Sequence, residues 1–525
     1  MIIASASEIH SVSNTVLGEA HSELYSIFGP EGFENFSENH SIREFNPIYG
    51  RFAVIERKGN RTTISTDHFG LFRLFVYLHG DHWALSDSIS DLAAFANSCN
   101  LPLTPYLPSA YSFMIQKGVG QQLSSFRTPI SEISLVPHWN NVVITESKIG
   151  FARKPDLRWS PDLHESNYAA GKFFASLMNS YLDAGMKPVM RMSAGLDSRC
   201  TLASILSLKN IDKLSAVQLF TSRQPQFSHE HDIVMCMLEK LPFGGTTDLQ
   251  AIEYPSIEDW KNLYLGGQSQ IAAFPKYGPP LPVFTGACGE LAREFYSWDN
   301  STSNITRHPY IPRDIWKEII NDIDLSLSSF DGQCKQILTV ENKHYQTFRN
   351  RFHFGREASE SVMNFPPLVY SLLSNGSGRG NNLPIHRLLF ELGGEDILRH
   401  PFDDDSKCFN GKIPVDWQRI RIPESDLYTR KIFAPDIGKE GVFSGGMIDE
   451  KIRNVRASRK KFITESFIFE IEAAIDSIGK HGLLPPNMLK ASRNELQRLK
   501  EKAESPNPGL YPAIAAVLSL NMIAN

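Results

Sequence analysis

Two serines, a glycine and an aspartate are packed into six residues, Ser193-Ala-Gly-Leu-Asp-Ser198, between a short apolar run (residues 189–192) and a helix-forming run (residues 199–206). A strand that ends in small residues and feeds a helix start leaves backbone N–H groups unpaired at the positive end of the helix dipole, which makes an anion site. Phosphate suits such a loop. A plain strand-to-helix turn with Asp197 as its N-cap is the alternative. A second stretch, Thr285-Gly-Ala-Cys-Gly-Glu290, follows an apolar run at 282–285 and puts an acid where a strand hands over to a helix; here too a Glu-started helix is the plain alternative. A third, residues 399–407, brings Asp403, Asp404 and Asp405 close to Lys407, with Lys412 a few residues on. A lysine is a point charge on a flexible stem and suits a phosphate that changes shape during a reaction. The three aspartates leave open an amine contact, a metal contact or a solvated turn. His229-Glu-His231 does not read as a metal site, because adjacent residues do not share a helical face and Ile233 stands where a second ligand at i+4 would be needed.

These residues need elements to hold them. Residues 51–56, 62–66, 72–78 and 82–85 are rich in β-branched and aromatic side chains and are divided by Lys58-Gly-Asn60, Asp67-His-Phe-Gly70 and His79-Gly-Asp81, which is turn chemistry. An antiparallel meander is expected there, followed by a helix over 86–96 and a strand over 141–145. From about residue 160 helical stretches alternate with short apolar strands, the pattern of a parallel α/β sheet. The helix 166–182, the strand 189–192 and the strand 214–220 would form its first unit, with a further helix over 233–241. Residues 349–356 read as a basic, aromatic helix, with a phosphate-facing role open and a solvated face for its cations the commoner case. Residues 375–381 are a glycine-rich loop without the strand that a dinucleotide fingerprint requires. Basic helices are expected over 450–469 and 490–504, and residues 513–524 are too short an apolar run to span a bilayer and read as a core helix.

Residues 193–198 resemble the Ser-Gly-Gly-x-Asp-Ser loop of the N-type ATP pyrophosphatases. The likeness widens to the asparagine synthetase-like family through Gly50-Arg-Phe-Ala53, Thr66-Asp-His-Phe-Gly70, Trp83-Ala-Leu-Ser86 and Ile133-Ser-Leu-Val-Pro-His138, in that order and spacing, ahead of the loop. The resemblance, which covers roughly the first 300 residues, implies a class II glutaminase-like domain of the N-terminal-nucleophile fold over residues 1–155. It also implies an ATP-pyrophosphatase synthetase domain over 160–425, with a helical extension over 426–525. The implied fold class is α/β, an α+β sandwich followed by a parallel-sheet domain. It implies ATP and Mg2+ as cofactors, with Ser193, Ala194, Gly195, Leu196, Asp197 and Ser198 around the phosphates and Val217 and Gly286 completing the nucleotide site. Asp197 and Glu290 would hold magnesium, and Lys407, or failing that Lys412, would contact the α-phosphate. Ala194 and Cys288 stand where the family has glycine, so Ala194 must keep a negative φ. Ala287 leaves empty a position where relatives carry Glu or Tyr, and Asn364-Phe-Pro-Pro-Leu368 lacks the family's Asp.

Class II glutaminases use an N-terminal Cys thiolate, whereas this chain opens Met1-Ile-Ile-Ala-Ser5 and has its first cysteine at Cys99. The expectation is a ligase that activates a small-molecule or peptide carboxylate as an acyl-adenylate and passes it to an amine not released from glutamine by this chain. Two other readings stay open, a glutamine-hydrolysing asparagine synthase with unusual processing and a silent nucleotide-binding protein. The 525 residues leave room for several domains, and a net charge of −5 favours neither nucleic acid nor an anionic membrane as partner. Six scattered cysteines without a CxxC pair fit a reducing cytoplasm. A homodimer remains open.

Overall fold

The computed structural model of the protein describes residues 2–6, 12–115, 117–146, 148–208, 211–221, 227–241, 243, 257–269, 282–298, 300–332, 334–353, 359–378, 380–435, 467–501 and 511–524. Among the described residues it is a mixed α/β molecule with three sheets. The first is four-stranded and antiparallel. It contains β1 (Ile2–Ser5), β6 (Phe75–His79), β7 (His82–Ser86) and β8 (Ile133–Leu135) in the order β1-β7-β6-β8. The second has seven strands: β2 (Thr15–His21), β3 (Tyr25–Phe28), β4 (Tyr49–Lys58), β5 (Arg61–Thr66), β9 (Asn140–Thr145), β10 (Lys148–Arg153) and β15 (Lys431–Phe433), ordered β10-β9-β5-β4-β2-β3-β15.

The hairpin turns at Lys58-Gly-Asn60 and His79-Gly-Asp81 are present, but the expected single meander is not: β5 and β6 lie in different sheets, so Asp67-His-Phe-Gly70 crosses between sheets instead of joining paired strands. Lys58 pairs with Arg61 and His79 with His82, so Gly59 and Gly80 each open a two-residue hairpin loop, with φ of +63° and +58°. Alternation along the strands then sends one set of side chains between the two sheets. Ala4, Val76, Trp83 and Leu85 of the first sheet meet Leu17, Ala53, Ile55, Ile64, Val142 and Ile144 of the second in one buried cluster.

The third sheet is parallel and carries the candidate chemistry. Its strands β11 (Val189–Arg191), β12 (Gln218–Phe220), β13 (Val283–Phe284) and β14 (Ser359–Glu360) lie in the order β12-β11-β13-β14. Helices Leu163–Asp183 and Leu196–Leu206 pack on it, and their buried faces contribute to one core cluster with the strands and with residues 362–422. From β11 the chain moves by way of the second helix to β12 on one side, while β13 lies on the other. The crevice above the carboxyl ends of β11 and β13 is therefore a topological switch point, where open α/β sheets receive ligands.

Several local expectations change. The strand expected over 214–220 shortens to β12, because residues Ile211–Ala216 form a 3-10 turn. The helix expected over 450–469 falls mostly outside the described residues, as do residues 354–356 of the basic stretch and Arg379 of the glycine loop. Arg349 and Arg351 are not on a solvated face. Arg351 is buried and donates to Gly70 O and Val136 O, both at 2.9 Å, while Arg349 donates to Gln121 and to Gln122 Oε1 at 3.1 Å. These guanidiniums satisfy carbonyl and amide oxygens of the first 140 residues, which is why burying them is tolerable. Residues after 425 are not wholly helical, since β15 lies parallel beside β3. Helices Ile468–His481, Pro486–Glu501 and Pro512–Ala524 follow, and the last packs on helices Ile89–Ser98 and Leu107–Ser112. Among the described residues no helix is long and apolar enough to cross a membrane.

Candidate functional site

Residues 193–198 turn from β11 into the helix Leu196–Leu206. Gly195 is its N-cap in an extended conformation (φ −81°, ψ 167°), and no side chain caps the first N–H groups. The two serines build the turn from inside: Ser198 Oγ donates to Ser193 O at 2.9 Å and accepts Ser193 N–H at 3.2 Å, and Gly195 N–H donates to Ser193 Oγ at 3.3 Å. Ala194 is not among the residues with positive φ, so its methyl is accommodated. Leu196 buries its side chain and offers the loop only its backbone.

The second stretch closes over this loop from β13. Thr201 Oγ1 donates to Thr285 O at 2.7 Å, and Ser361 Oγ donates to Ala287 O at 2.6 Å. Gly286 lies against the backbone of Asp197 and Ser198, where a β-carbon would collide with Ser198 N; a β-carbon at Gly289 would collide with the Asp197 carboxylate. Two glycines thus let 285–290 approach the start of the helix. Cys288, where the resemblance expects glycine, takes a left-handed conformation with φ +70°. That backbone costs a non-glycine residue about 1 kcal/mol or more.

The third stretch comes from the opposite side. Asp403 N–H donates to Ala194 O at 3.3 Å, and Lys407 Nζ donates to Asp403 Oδ2 at 2.6 Å. The three consecutive aspartates have different fates. Asp403 faces the loop, Asp404 caps the turn Asp405–Lys407 by accepting Ser406 N–H at 2.8 Å, and Asp405 is exposed. Lys412 is exposed.

Charge concentrates where the three stretches meet. Burial pushes the Asp197 carboxyl up to about 7, against the pull of the Arg293 guanidinium; Glu290 pushes it further up, Lys407 draws it down and Asp403 raises it. Asp197 and Glu290 therefore share one electrostatic environment. Asp197 and Arg293 form an ion pair, while Glu290 Oε2 accepts from Tyr345 OH at 3.1 Å. Asp197 Oδ1, Asp403 Oδ1 and Arg293 Nε are buried without a hydrogen-bond partner, a state that a bound ligand would relieve. Carboxylate oxygens are the donors that magnesium takes, and the partnerless Asp197 Oδ1 fits that ion. The carboxylates of Asp197, Glu290 and Asp403 are not drawn into a single ligand-sized cluster; among the described residues that occurs only at Glu19, His21 and Glu360.

Val217 is not brought to this site. It precedes Gln218, which registers with Val189 at the start of β11, so it lies at the amino end of the sheet. It is buried there, with its N–H donated to Leu214 O. Position in the strand decides this, because only residues after the strand ends reach the crevice. Three residues that spacing did not single out do belong here. Arg293 follows Glu290 by one turn and pairs with Asp197, and Tyr345 arrives from a distant helical segment. Arg199 is buried, stacks its guanidinium 3.7 Å from the Phe402 ring centre, and donates to His400 O at 2.6 Å and to Pro401 O, fastening the loop that carries Lys407. Arg199 stood in view beside the loop, but its partners lie two hundred positions away, where spacing gives no signal.

Neither protein-family models nor curated proteins give a match to this chain.

Proposed function

We propose that the protein is an ATP-dependent, AMP-forming ligase of the asparagine synthetase type, with residues 1–155 as a glutaminase-like sandwich and 160–425 as the synthetase domain. The observation that supports this most is the convergence of Asp197, Glu290 and Lys407 on the uncapped start of the helix Leu196–Leu206, from stretches that resemble the family's three motifs. In this reading the backbone N–H groups after Gly195 and the hydroxyls of Ser193 and Ser198 grip the β- and γ-phosphates. Asp197 and Glu290 would hold magnesium, which when bound supplies charge neutralisation on the phosphate oxygens. Lys407, steered by Asp403, stands by the α-phosphate as the acyl-adenylate forms and again as an amine displaces AMP. Arg293 competes with the cation for Asp197 and keeps the carboxylate paired when no nucleotide is present. Positioning and charge do the work, as in phosphoryl and nucleotidyl transfer generally.

The amine is proposed to come from a second substrate or from the acyl substrate itself. Cys99, the first thiol of the sequence, is exposed at the end of the helix Ile89–Ser98 and stands on no strand. Carboxylate-dependent exchange of labelled pyrophosphate into ATP, run over a panel of amino acids and peptides, tests the ligase. Glutamate release from glutamine, run in parallel, tests the amine source. Exchange without glutamate release is the expected result. Tight ATP binding with no exchange on any carboxylate would favour the silent nucleotide-binding protein.

A further inference from the structure

A second cluster of chemically capable side chains lies away from the nucleotide site, where the seven-stranded sheet meets the parallel sheet. Glu19 and His21 sit two apart on β2 and so share one face of the strand. That face meets Glu360 of β14, and one ligand atom from each of the three residues lies within 4.8 Å of the others. We propose that Glu19, His21 and Glu360 form a binding site for a divalent transition-metal ion that joins β2 to β14, independent of the nucleotide reading.

Three observations carry this. First, His21 Nε2 is buried, lacks a hydrogen-bond partner in good geometry, and points into the cluster 3.3 Å from Glu360 Oε1. Ligand atoms about 2.1 Å from a four-coordinate ion stand roughly 3.4 Å apart, so this pair already has the separation of neighbouring ligands. Second, the other ring nitrogen is engaged: His21 Nδ1 lies 2.9 Å from Ser26 Oγ. Such a bond fixes the ring and leaves Nε2 free to coordinate, as second-shell partners of metal-bound histidines do. Third, Glu360 is held in place by Tyr181, whose hydroxyl donates to the same Oε1 at 2.6 Å, while Tyr49 accepts Ser361 N–H at 2.7 Å. One imidazole and two carboxylates, with no thiolate, are a donor set for zinc and neighbouring first-row ions and leave one position for a water or a phenol.

Placement gives the ion a structural part. The residue after Glu360, Ser361, donates its Oγ to Ala287 O, and Thr285 N–H donates to Glu360 O at 2.8 Å. The same strand therefore grips the stretch that carries Glu290.

The test uses the full chain in an Asp197→Asn background, so that divalent ions at the nucleotide site do not contribute. After stripping with a chelator, the protein is dialysed against zinc and its metal content measured. Cobalt is then added for visible spectroscopy, and melting temperatures are taken with and without zinc. The expected result is about one ion per chain, ligand-field bands of a four- or five-coordinate site, and a melting temperature raised by several degrees. Glu19→Gln keeps the shape while removing a buried charge. It should melt no lower than its parent without metal and should lose the bound ion, the bands and the rise. Uptake below about a tenth of an equivalent by the parent, or equal uptake and equal rise in a folded Glu19→Gln protein, would overturn the site. Were that variant unfolded, the parent's stoichiometry and cobalt spectrum alone would decide.

Discussion

The carboxylate of Asp197 lies directly against the α-carbon of Gly289, with no room for a side chain between them. Two stretches nearly a hundred positions apart are thereby held at contact, and Arg293, four residues beyond Gly289, reaches back to pair with the same carboxylate.

Substituting Gly289 by Ala should displace that carboxylate without disturbing the sheet. Pyrophosphate exchange is expected to fall about 100-fold, the usual result of moving a reacting group by an ångström, while circular dichroism stays unchanged. Exchange at the parent rate would mean that the contact has no part in the chemistry.

Asp197→Asn keeps the volume and removes the charge. Exchange should drop by at least about 100-fold while the fold persists, because the amide cannot neutralise a cation. In the parent, burial pushes the Asp197 carboxyl up toward 7, so magnesium-dependent exchange should rise with pH from the ordinary carboxylate range toward neutrality. A flat profile across neutral pH would break the link between this acid and the metal.

Lys407→Ala should lower kcat about 100-fold and shift the KM for ATP by less than about threefold, since charge on the α-phosphate changes mainly in the transition state. Equal losses in both constants would assign Lys407 to ground-state binding. Arg199→Met, which leaves the loop at 400–407 without its buried anchor, should give a smaller loss of the same kind that added guanidinium does not rescue.

Glu495 is buried under the last helix, where its carboxylate accepts Ala513 N–H at 2.9 Å and Ile514 N–H at 3.0 Å; burial pushes its pKa up to about 7. The folded chain then binds more protons than the unfolded chain between the ordinary carboxylate range and 7, so this group costs stability as pH rises through that window. Glu495→Gln should stabilise the protein by about 2 kcal/mol near pH 8 and not at all near pH 4, read from denaturant midpoints. A gain of the same size at both pH values would contradict the assignment.

Much of the strand pattern could be read from the chain because alternating side chains and glycine turns are local properties. Lys58-Gly-Asn60 and His79-Gly-Asp81 close two-residue hairpins as their composition implies. The stretches around Asp197, Glu290 and Lys407 could be picked out one by one for the same reason. What could not be read is what pairs across distance. Nothing local marks Arg293 as the partner of Asp197, Tyr345 as that of Glu290, or Arg351 as the donor to Gly70. Val217 went astray because apolar composition marks a strand without saying which of its ends faces a crevice. The run 349–356 reads locally as a basic helix with solvated cations, whereas Arg349 and Arg351 face carbonyl and amide oxygens from another part of the chain.

The position of β15 in the seven-stranded sheet also bears on how the molecule is made. Its three residues lie on the far flank of β3, and Arg430 just before it is buried, donating to Ser22 O at 2.8 Å. A growing polypeptide must therefore wait for more than four hundred further residues before its earliest sheet gains a final neighbour. Cutting the gene between the two halves would leave the first product with a bare strand flank open to self-association.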